Sequence, residues 1–195
     1  MIAKPLSIHG AWVMQSQVFA DDRGTFSEWF KSSLLTELTG ESFEPVQANV
    51  SVSNAGVIRG IHYSLAPRGQ AKLVTVLRGS ILDVAIDVRI GSPTYGKHDS
   101  AVLQAGDGQA MFLRHDMAHA FQALEDNTVV SYLVSSEYSP TEEKEISPMC
   151  THLSINWDAA LPQVLSMKDR AAPDLEQQYT AKLLPSLTTK GHNAT

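Results

Sequence analysis

The stretch LVTVLRGSILDVAIDV, from Leu73 to Val88, indicates most clearly how this chain folds. Valine, isoleucine and leucine run on both sides of Gly79-Ser80, and β-branched residues favour strands. A glycine followed by a small polar residue is typical of a two-residue hairpin loop. The stretch therefore predicts two antiparallel strands joined at Gly79 and Ser80.

The same pattern continues outward from this stretch in both directions. From Gln47 onward, short apolar runs alternate with turn signals, which lie at 53–56, 91–93, 106–108 and 125–127. Several short strands with regular turn signals predict an all-β sandwich or barrel. Residues 1–20 also read as short strands.

Two segments have helical features. Apolar residues recur at helical spacing before Gly40, which predicts a short helix over 31–39. The segment after Trp157 predicts one more short helix. We expect a single domain over 1–195, with a C-terminal tail that frays from about residue 185.

Composition limits the classes of partner. The chain has 195 residues and a net charge of −6, which disfavours nucleic acid because binding phosphates needs clustered Lys and Arg. No apolar run approaches the ~20 residues of a membrane span. The single cysteine, Cys150, excludes an internal disulfide and fits a cytoplasmic location.

Strand alternation predicts which polar side chains meet. His119 and Tyr132 are equally distant from the turn at Glu125-Asp126. A hairpin centred there places them directly opposite on adjacent strands, with Cβ atoms roughly 5 Å apart. Phe121 and Val130 would share that face, which predicts an apolar pocket with a polar end.

Two further placements follow from the same reasoning. A loop at Gly79-Ser80 places Lys72 opposite Asp87, and a surface ion pair explains that pattern as well as a pocket does. Arg59 and His62 are three residues apart, so strict alternation puts them on opposite faces. Gly60 offers a solution, because a glycine inside a strand often marks a bulge.

Metal and nucleotide motifs are weak in this sequence. His115 and His119 are four apart, a spacing that joins ligands on a helix, but HDMAHAF reads as loop and strand. We therefore expect no metal. A phosphate-cradling glycine loop, a G-x-S-x-G motif and a dinucleotide fingerprint are all missing, so we also expect no cofactor.

The order of the motifs resembles a known family. From Phe19 to Leu175 the chain is similar to the nucleotide-sugar 3,5-epimerases that act on dTDP-4-dehydro-6-deoxyglucose, in the cupin superfamily. The shared motifs are DDRGTFSEWF, QANVSVS, VIRGIHY, QAKLV, DVAIDVRIGSPTYG, AHAFQAL, YSPTEEKEI and LSMKD. The resemblance implies a cupin-like jelly roll, or double-stranded β-helix, with short peripheral helices, and a cytoplasmic homodimer that binds a dTDP-sugar.

The resemblance also implies the catalytic roles. His62 matches the general base, and Asp169 matches the carboxylate that orients and charges it. Tyr132 matches the residue that returns a proton from the opposite face. A proton beside a ketone leaves an enolate when it is removed, and Lys72 is the natural cation for that oxyanion.

Further positions match substrate contacts of the family. Arg59 corresponds to a cation near the diphosphate, His119 to a second histidine of the pocket, and Tyr138 to an aromatic ring that stacks on thymine. The remaining matches to nucleotide or sugar contacts are Arg23, Glu28, Gln47, Asn49, Glu143 and Lys168.

The sequence departs from the family pattern at two places. Leu133 follows Tyr132 where a lysine is common, which resembles epimerases of antibiotic-sugar pathways, some of which invert one centre only. Ala48 replaces the usual aspartate between Gln47 and Asn49, so this position in the nucleotide region lacks a polar side chain. Inversion at carbon 3, at carbon 5 and at both all fit the sequence.

The resemblance implies an epimerase, that is, an isomerase of deoxysugar biosynthesis. Three other functions are alternatives to it. A 3,4-ketoisomerase of the same nucleotide sugar uses histidines in a similar fold, although the set His62, Tyr132 and Asp169 argues against it. A non-catalytic sugar-nucleotide binder predicts binding without proton exchange. A metal-dependent cupin oxygenase predicts bound metal.

Overall fold

The computed structural model describes residues 1–65 and 69–187. Within these residues the chain forms short strands and three short helices. The strands are β1 Ile2–Pro5, β2 Ala11–Gln15, β3 Val18–Asp21, β4 Gly24–Ser27, β5 Gln47–Ser53, β6 Ile58–Ser64, β7 Lys72–Arg78, β8 Ser80–Ile86, β9 His98–Gln104, β10 Gln109–Leu113, β11 Ala118–Ala123, β12 Thr128–Val134 and β13 Glu143–Glu145. The helices are α1 Ser32–Thr39, α2 Met167–Arg170 and α3 Leu175–Thr180.

Two antiparallel sheets make up the jelly roll, and the predicted all-β fold is confirmed. The first sheet has the strand order β1-β2-β10-β7-β12-β5, and the second has the order β13-β6-β11-β8-β9. Strands β3 and β4 form a separate two-stranded hairpin. We call this hairpin, residues 18–27, the arm.

The predicted hairpin between β7 and β8 is wrong. β7 pairs with β10 and β12 in the first sheet, whereas β8 pairs with β9 and β11 in the second. The chain passes between sheets at Gly79, which has φ +74°, and a side chain there would collide with Thr128. A strand's own alternation does not specify its neighbour, so the sequence pattern was compatible with either arrangement.

Lys72 consequently does not lie opposite Asp87. The register neighbours of Lys72 are Leu113 and Val134. Asp87 follows the end of β8, where its carboxylate accepts hydrogen bonds from Arg89 Nε at 2.8 Å and Nη2 at 2.7 Å. Both members of this ion pair are fully buried.

The inner faces of the sheets meet in an apolar core at one end of the molecule. Val74, Ile81, Phe121 and Val130 belong to it, and burial of each such side chain stabilises the fold by about 1.5–3 kcal/mol. Two residues further along the same inner faces the side chains become polar. These positions are Lys72, Asp83, His119 and Tyr132.

The outer faces are covered by the helices and the C-terminal segment. Helix α1 ends at Gly40, as predicted, and its Leu35 packs with Phe43 and Phe112 against the first sheet. Trp157, Leu175 and other late residues pack against the second sheet. The segment after Trp157 holds two helices rather than one.

The C-terminal end is paired as far as the structure describes it. Ile90 donates to the carbonyl of Pro185, and Leu187 donates to the carbonyl of Ile90. The tail predicted from about residue 185 therefore lies mostly at 188–195, outside the described residues, and stays a prediction. Within the described ranges, no helix combines the length and apolar character needed to cross a membrane.

Candidate active site

A cavity of about 280 Å³ lies between the two sheets at the polar end of their inner faces. A second cavity of about 220 Å³ shares five of its lining residues and extends it toward Gln47 and Asn49 of β5. The residues that line the first cavity are Ser51, Arg59, His62, Lys72, His119, Phe121, Tyr132, Tyr138, Glu143, Lys144, Ser166, Lys168 and Asp169.

A bulge in β6 brings Arg59 and His62 to the same cavity. His62 is the register partner of His119, but Arg59 is the partner of Phe121, so the register shifts between them. Gly60 has φ +114°, and a Cβ atom there would lie 2.6 Å from the carbonyl oxygen of His119. The bulge predicted at this glycine is confirmed.

His62 and Asp169 form the first of two histidine–carboxylate pairs. His62 Nε2 lies 2.7 Å from Asp169 Oδ1, and the carboxylate is buried while the imidazole is half-exposed to the cavity. Burial acts to raise the pKa of Asp169. The hydrogen bonds from His62 and Ser166 and the charge of Lys168 outweigh burial and hold this pKa below its ordinary value.

His119 and Asp83 form the second pair. His119 Nε2 lies 2.6 Å from Asp83 Oδ1, and the Asp83 side chain is fully buried. Sequence reasoning did not single out Asp83 as a site residue. The alternation of β8 carried the signal, because Asp83 lies between Ile81 and Ala85 on the same inner face.

Lys72 is a buried cation that extends into the cavity from β7. Among the described residues, its amine has no hydrogen bond and no ion pair within 4.0 Å. Burial lowers the pKa of Lys72, and the negative charges of Glu143 and Asp83 partly oppose that effect. With no hydrogen bond or ion pair to a described residue, this amine is available to a negative charge on a ligand, and such a charge would favour its ammonium form.

Tyr132 enters the cavity from β12, which faces β6 and β11 across the sandwich. The prediction that Tyr132 and His119 are neighbours in one hairpin is wrong, because β11 and β12 belong to different sheets. The two residues nevertheless line the same cavity from opposite walls. Burial raises the pKa of Tyr132, with Arg59 lowering it and Glu143 raising it.

A group of polar residues lines the extension of the cavity. Gln47 Nε2 donates to Asn49 Oδ1 at 2.8 Å, and Gln47 Oε1 accepts from the backbone N–H of Tyr138 at 2.9 Å. The Tyr138 ring is largely exposed. On the other side, Lys168 donates to Glu145 at 3.0 Å, which raises the pKa of Lys168.

Arg23 and Glu28 do not reach this cavity. Arg23 lies in the loop of the arm and pairs with Asp21 at 2.5 Å, where both side chains are exposed. Glu28 follows the arm and lies 3.9 Å from Lys31. Within one chain, the structure therefore separates these two predicted substrate contacts from the other eleven predicted site residues, which line the two cavities.

The two departures from the family pattern lie beside each other. Ala48 of β5 is the register partner of Leu133 of β12. Both lie on the outer face of the first sheet, where Ala48 is exposed and Leu133 packs against the cluster around Leu35. The missing polar side chain at Ala48 therefore removes no contact from the cavity.

Comparisons with known proteins show the family of this chain. A family model described as dTDP-4-dehydrorhamnose 3,5-epimerase matches residues 5–177. A dTDP-4-dehydrorhamnose 3,5-epimerase of Mycolicibacterium smegmatis is 41% identical, with 95% of this chain and 92% of the relative covered. A dTDP-4-dehydro-6-deoxyglucose 3-epimerase of Streptomyces bikiniensis is 40% identical, with 93% of each covered.

Solved structures show the same relationship. The RmlC epimerase of Mycobacterium tuberculosis superposes with a TM-score of 0.92 at 41% identity, covering 95% of this chain and 94% of that one. ChmJ, a 3'-monoepimerase of Streptomyces bikiniensis in complex with dTDP-quinovose, has a TM-score of 0.90 at 39% identity, covering 95% and 93%. The chain therefore belongs to the dTDP-4-dehydrorhamnose 3,5-epimerase family.

Proposed function

We propose that this chain epimerises dTDP-4-dehydro-6-deoxy-D-glucose, by removing a proton beside the 4-keto group and returning one to the opposite face of the sugar. One observation carries the proposal: His62 and Tyr132 line one cavity from opposite sheets, and Asp169 of α2 is hydrogen-bonded to His62. Inversion requires a base and an acid on the two faces of the ring, and this arrangement supplies both.

His62 acts as the base in the proposed reaction. When its Nε2 carries the proton and donates to Asp169 Oδ1, the lone pair of Nδ1 is available to accept a proton from the substrate. The carboxylate holds this tautomer and stabilises the imidazolium that forms. A general base of this kind contributes roughly 10²–10⁴-fold to the rate.

Lys72 stabilises the enolate. Its ammonium group has no ion-pair partner among the described residues, so no protein contact must break when a negative oxygen forms beside it. A donor placed before the reaction is typically worth about 3–4 kcal/mol in the transition state.

Tyr132 returns the proton on the other face. Burial raises its pKa, so the hydroxyl keeps its proton and can donate it to the enolate carbon. His119, paired with Asp83, lies beside His62 on the neighbouring strand and contacts the sugar in this proposal.

The remaining cavity residues hold the nucleotide. Arg59 suits a diphosphate, because its guanidinium donates in a fork that matches phosphate oxygens. Lys168 adds a second cation on α2. Tyr138 offers an exposed ring for stacking on the base, and polar side chains line the wall beside it. These side chains are Gln47, Asn49 and Glu143.

Proton NMR of the substrate in deuterium oxide tests the proposal, with substrate alone as the control. Deuterium together with inverted configuration at carbon 3 and carbon 5 means a 3,5-epimerase, and both changes at one carbon only mean a mono-epimerase, as in antibiotic-sugar pathways. No enzyme-dependent incorporation overturns the proposal. A 3-keto product, which requires loss of the carbon 3 proton and protonation of carbon 4, would indicate a ketoisomerase. Binding with neither exchange nor product would indicate a binder.

The metal-dependent alternative has its own test. Among the residues that the structure describes, no group of three or more His, Cys, Asp or Glu side chains is arranged to hold a metal ion. Metal analysis of purified, active protein decides between the two readings, because an oxygenase requires stoichiometric metal. Location in the cytoplasm remains a prediction, consistent with the free Cys150.

We also propose a homodimer in which the arm of one chain reaches the cavity of its partner. The arm carries the cross-strand pair Phe19 and Phe26, whose residues are 53% and 69% exposed. Val50 and Val52 on the outer face of edge strand β5 are also exposed. Exposed apolar surface of this kind favours association, and the arm would bring Arg23 toward a second chain's ligand.

A further inference from the structure

Ser166 makes two hydrogen bonds to Asp169, the carboxylate partner of His62. Its Oγ donates to Asp169 Oδ2 at 2.9 Å and accepts from the Asp169 backbone N–H at 3.0 Å. The residue also lines the cavity and occupies the N-cap of α2. His62, Asp169 and Ser166 therefore form a continuous hydrogen-bonded chain, in which each carboxylate oxygen has one side-chain partner.

The carboxylate needs this second contact to hold its orientation. The terminal torsion of an aspartate is broad, so a single hydrogen bond from His62 leaves the carboxylate free to turn. Among the described residues, Ser166 is the side chain that hydrogen-bonds Oδ2. The serine is itself held by the backbone N–H of the residue that it orients.

We propose that Ser166 is a positioning residue of the reaction, whose hydroxyl orients the Asp169 carboxylate so that Oδ1 faces His62 Nε2 and the Nδ1 lone pair is directed into the cavity. This inference rests on the proposed role of His62 as the base. Ser166 contacts the substrate in no step, and it acts through the carboxylate alone.

A purely structural role for Ser166 makes a different prediction. As the N-cap, the residue also sets the start of α2, a helix of four residues that carries Lys168. Loss of the cap alone would displace Lys168 and weaken substrate binding. Loss of the donated hydrogen bond would instead slow proton removal from bound substrate. The ratio of the effects on kcat and KM separates the two roles.

The test compares three variants by steady-state deuterium incorporation. Ser166→Ala removes both hydrogen bonds of the side chain. Ser166→Gly removes the hydroxyl but keeps most of the cap, because glycine at an N-cap costs only a few tenths of a kcal/mol. Ser166→Thr keeps the hydroxyl. Asp174→Ala is the matched control, because Asp174 caps α3 outside the cavity through the same type of bond to Gln177 N–H.

We expect Ser166→Gly, which keeps most of the cap, to lower kcat at least tenfold with KM changed less than threefold. We expect Ser166→Ala, which also loses the cap, to lower kcat by a similar factor and to raise KM. Ser166→Thr should recover at least half of the wild-type kcat, and Asp174→Ala should change neither constant more than twofold. Thermal unfolding of each variant establishes that it is folded under the assay conditions.

Three results would overturn the inference. These are a kcat within twofold of wild type in both Ser166→Ala and Ser166→Gly, an effect confined to KM, and a loss in Ser166→Thr as large as in Ser166→Ala. Failure of the proposed function looks different, because wild-type protein would then exchange no proton, or His62→Ala would exchange as fast as wild type.

Discussion

His62 and Lys72, two residues of the cavity, differ in whether a carboxylate pairs with their side chain. His62 has a carboxylate partner at 2.7 Å and is half-exposed to the cavity. Lys72 is buried without such a partner among the described residues. A base needs a partner that stabilises its charged form, whereas an oxyanion site needs a charge that is not already neutralised.

Replacement of His62 tests the base directly. We expect His62→Ala to lower deuterium incorporation roughly 10²–10⁴-fold, the usual contribution of a general base, while the protein still folds. NMR in deuterium oxide and circular dichroism measure the two effects. His152→Ala is the control, because His152 is exposed and lies outside the cavity. Retained exchange in His62→Ala would remove His62 as the base.

Replacement of the Tyr132 hydroxyl separates exchange from inversion. In Tyr132→Phe the base still removes and returns a proton on its own face, so deuterium incorporation continues while epimerised product falls. We expect at least a tenfold lower ratio of inversion to exchange, measured in the same NMR experiment. Tyr179→Phe, an exposed tyrosine outside the cavity, should leave the ratio unchanged. An equal loss of exchange and inversion would instead indicate that Tyr132 serves binding.

At the scale of elements, strand pairing decides whether a substituted side chain faces the cavity or the outside of the sheet. Leu133 and Ala48 differ from the family pattern. Leu133 directly follows Tyr132 and Ala48 directly follows Gln47, so both differences lie next to predicted site residues in the sequence. Their pairing on β12 and β5 places both on the outer face of the sheet. Because side chains alternate along a strand, the neighbours of a catalytic residue point away from the substrate.

This register predicts the effect of restoring the family residues. Leu133→Lys should leave the ratio of deuterium at carbon 3 to carbon 5 within twofold of wild type, because its side chain lies outside the cavity. Adding Ala48→Asp should improve stability by about 0.2–1 kcal/mol relative to the single variant, as expected for an opposite-charge cross-strand pair. NMR and urea unfolding measure these effects. A changed carbon ratio would mean that Leu133 acts on the cavity.

The buried Asp87–Arg89 pair links β8 to the following loop. Burial acts to raise the pKa of Asp87, but hydrogen bonds from Arg89, Ser92 and Thr94 outweigh it and lower that pKa. A carboxylate with a lowered folded pKa contributes stability above its unfolded pKa of about 4 and loses it as the pH falls through the folded value.

Removal of this charge should therefore cost most at neutral pH. We expect Asp87→Asn to lower the free energy of unfolding by up to about 3–5 kcal/mol at pH 7, because it removes the carboxylate that binds Arg89 through two hydrogen bonds and leaves Asp116, at 3.6 Å, as the remaining ion-pair partner of this buried guanidinium. The difference from wild type should shrink as the pH falls below about 4. Urea unfolding at pH 7 and pH 3 measures both values. Asp107→Asn, at an exposed turn, is the control, and a pH-independent difference would contradict the ion-pair explanation.

At the scale of the whole molecule, the arm and the cavity are separate parts of one chain. The arm is exposed, carries Arg23, and pairs only within itself among the described strands. Eleven predicted site residues line the cavities from the two sheets, a loop and α2. A dimer in which arms are exchanged reconciles the family's contacts at Arg23 and Glu28 with this separation.

Complementation between two defective chains tests that dimer. Arg23→Ala should weaken substrate binding, and His62→Ala should abolish exchange. After subunit exchange, a mixed dimer pairs an Arg23→Ala chain with a His62→Ala chain. The cavity of the first chain then has an intact His62 and receives the arm of the second chain, which has an intact Arg23. We expect the mixture to exceed the summed rates of the separate variants at low substrate concentration. A mixture of wild type with His62→Ala is the control, and absence of any gain would mean that the arm acts within its own chain or not at all.

The sequence by itself determined the strands, the helix before Gly40, the bulge at Gly60 and the residues that face inward. These features depend on local chemistry: β-branched runs, glycine at positive φ and the period of two along a strand. The family resemblance identified thirteen candidate site residues, and eleven of them line the two cavities.

Only the tertiary structure decided which strands are neighbours. The alternation of β7, β8, β11 and β12 is the same whether consecutive strands form hairpins or cross between sheets, because each strand pattern records burial and not the identity of its partner. The placement of Lys72, the pairing of His119 with Asp83 and the separation of the arm from the cavity all depend on partners distant in sequence. Such contacts form only when strands that are distant in sequence pair within a sheet and the two sheets pack on one another.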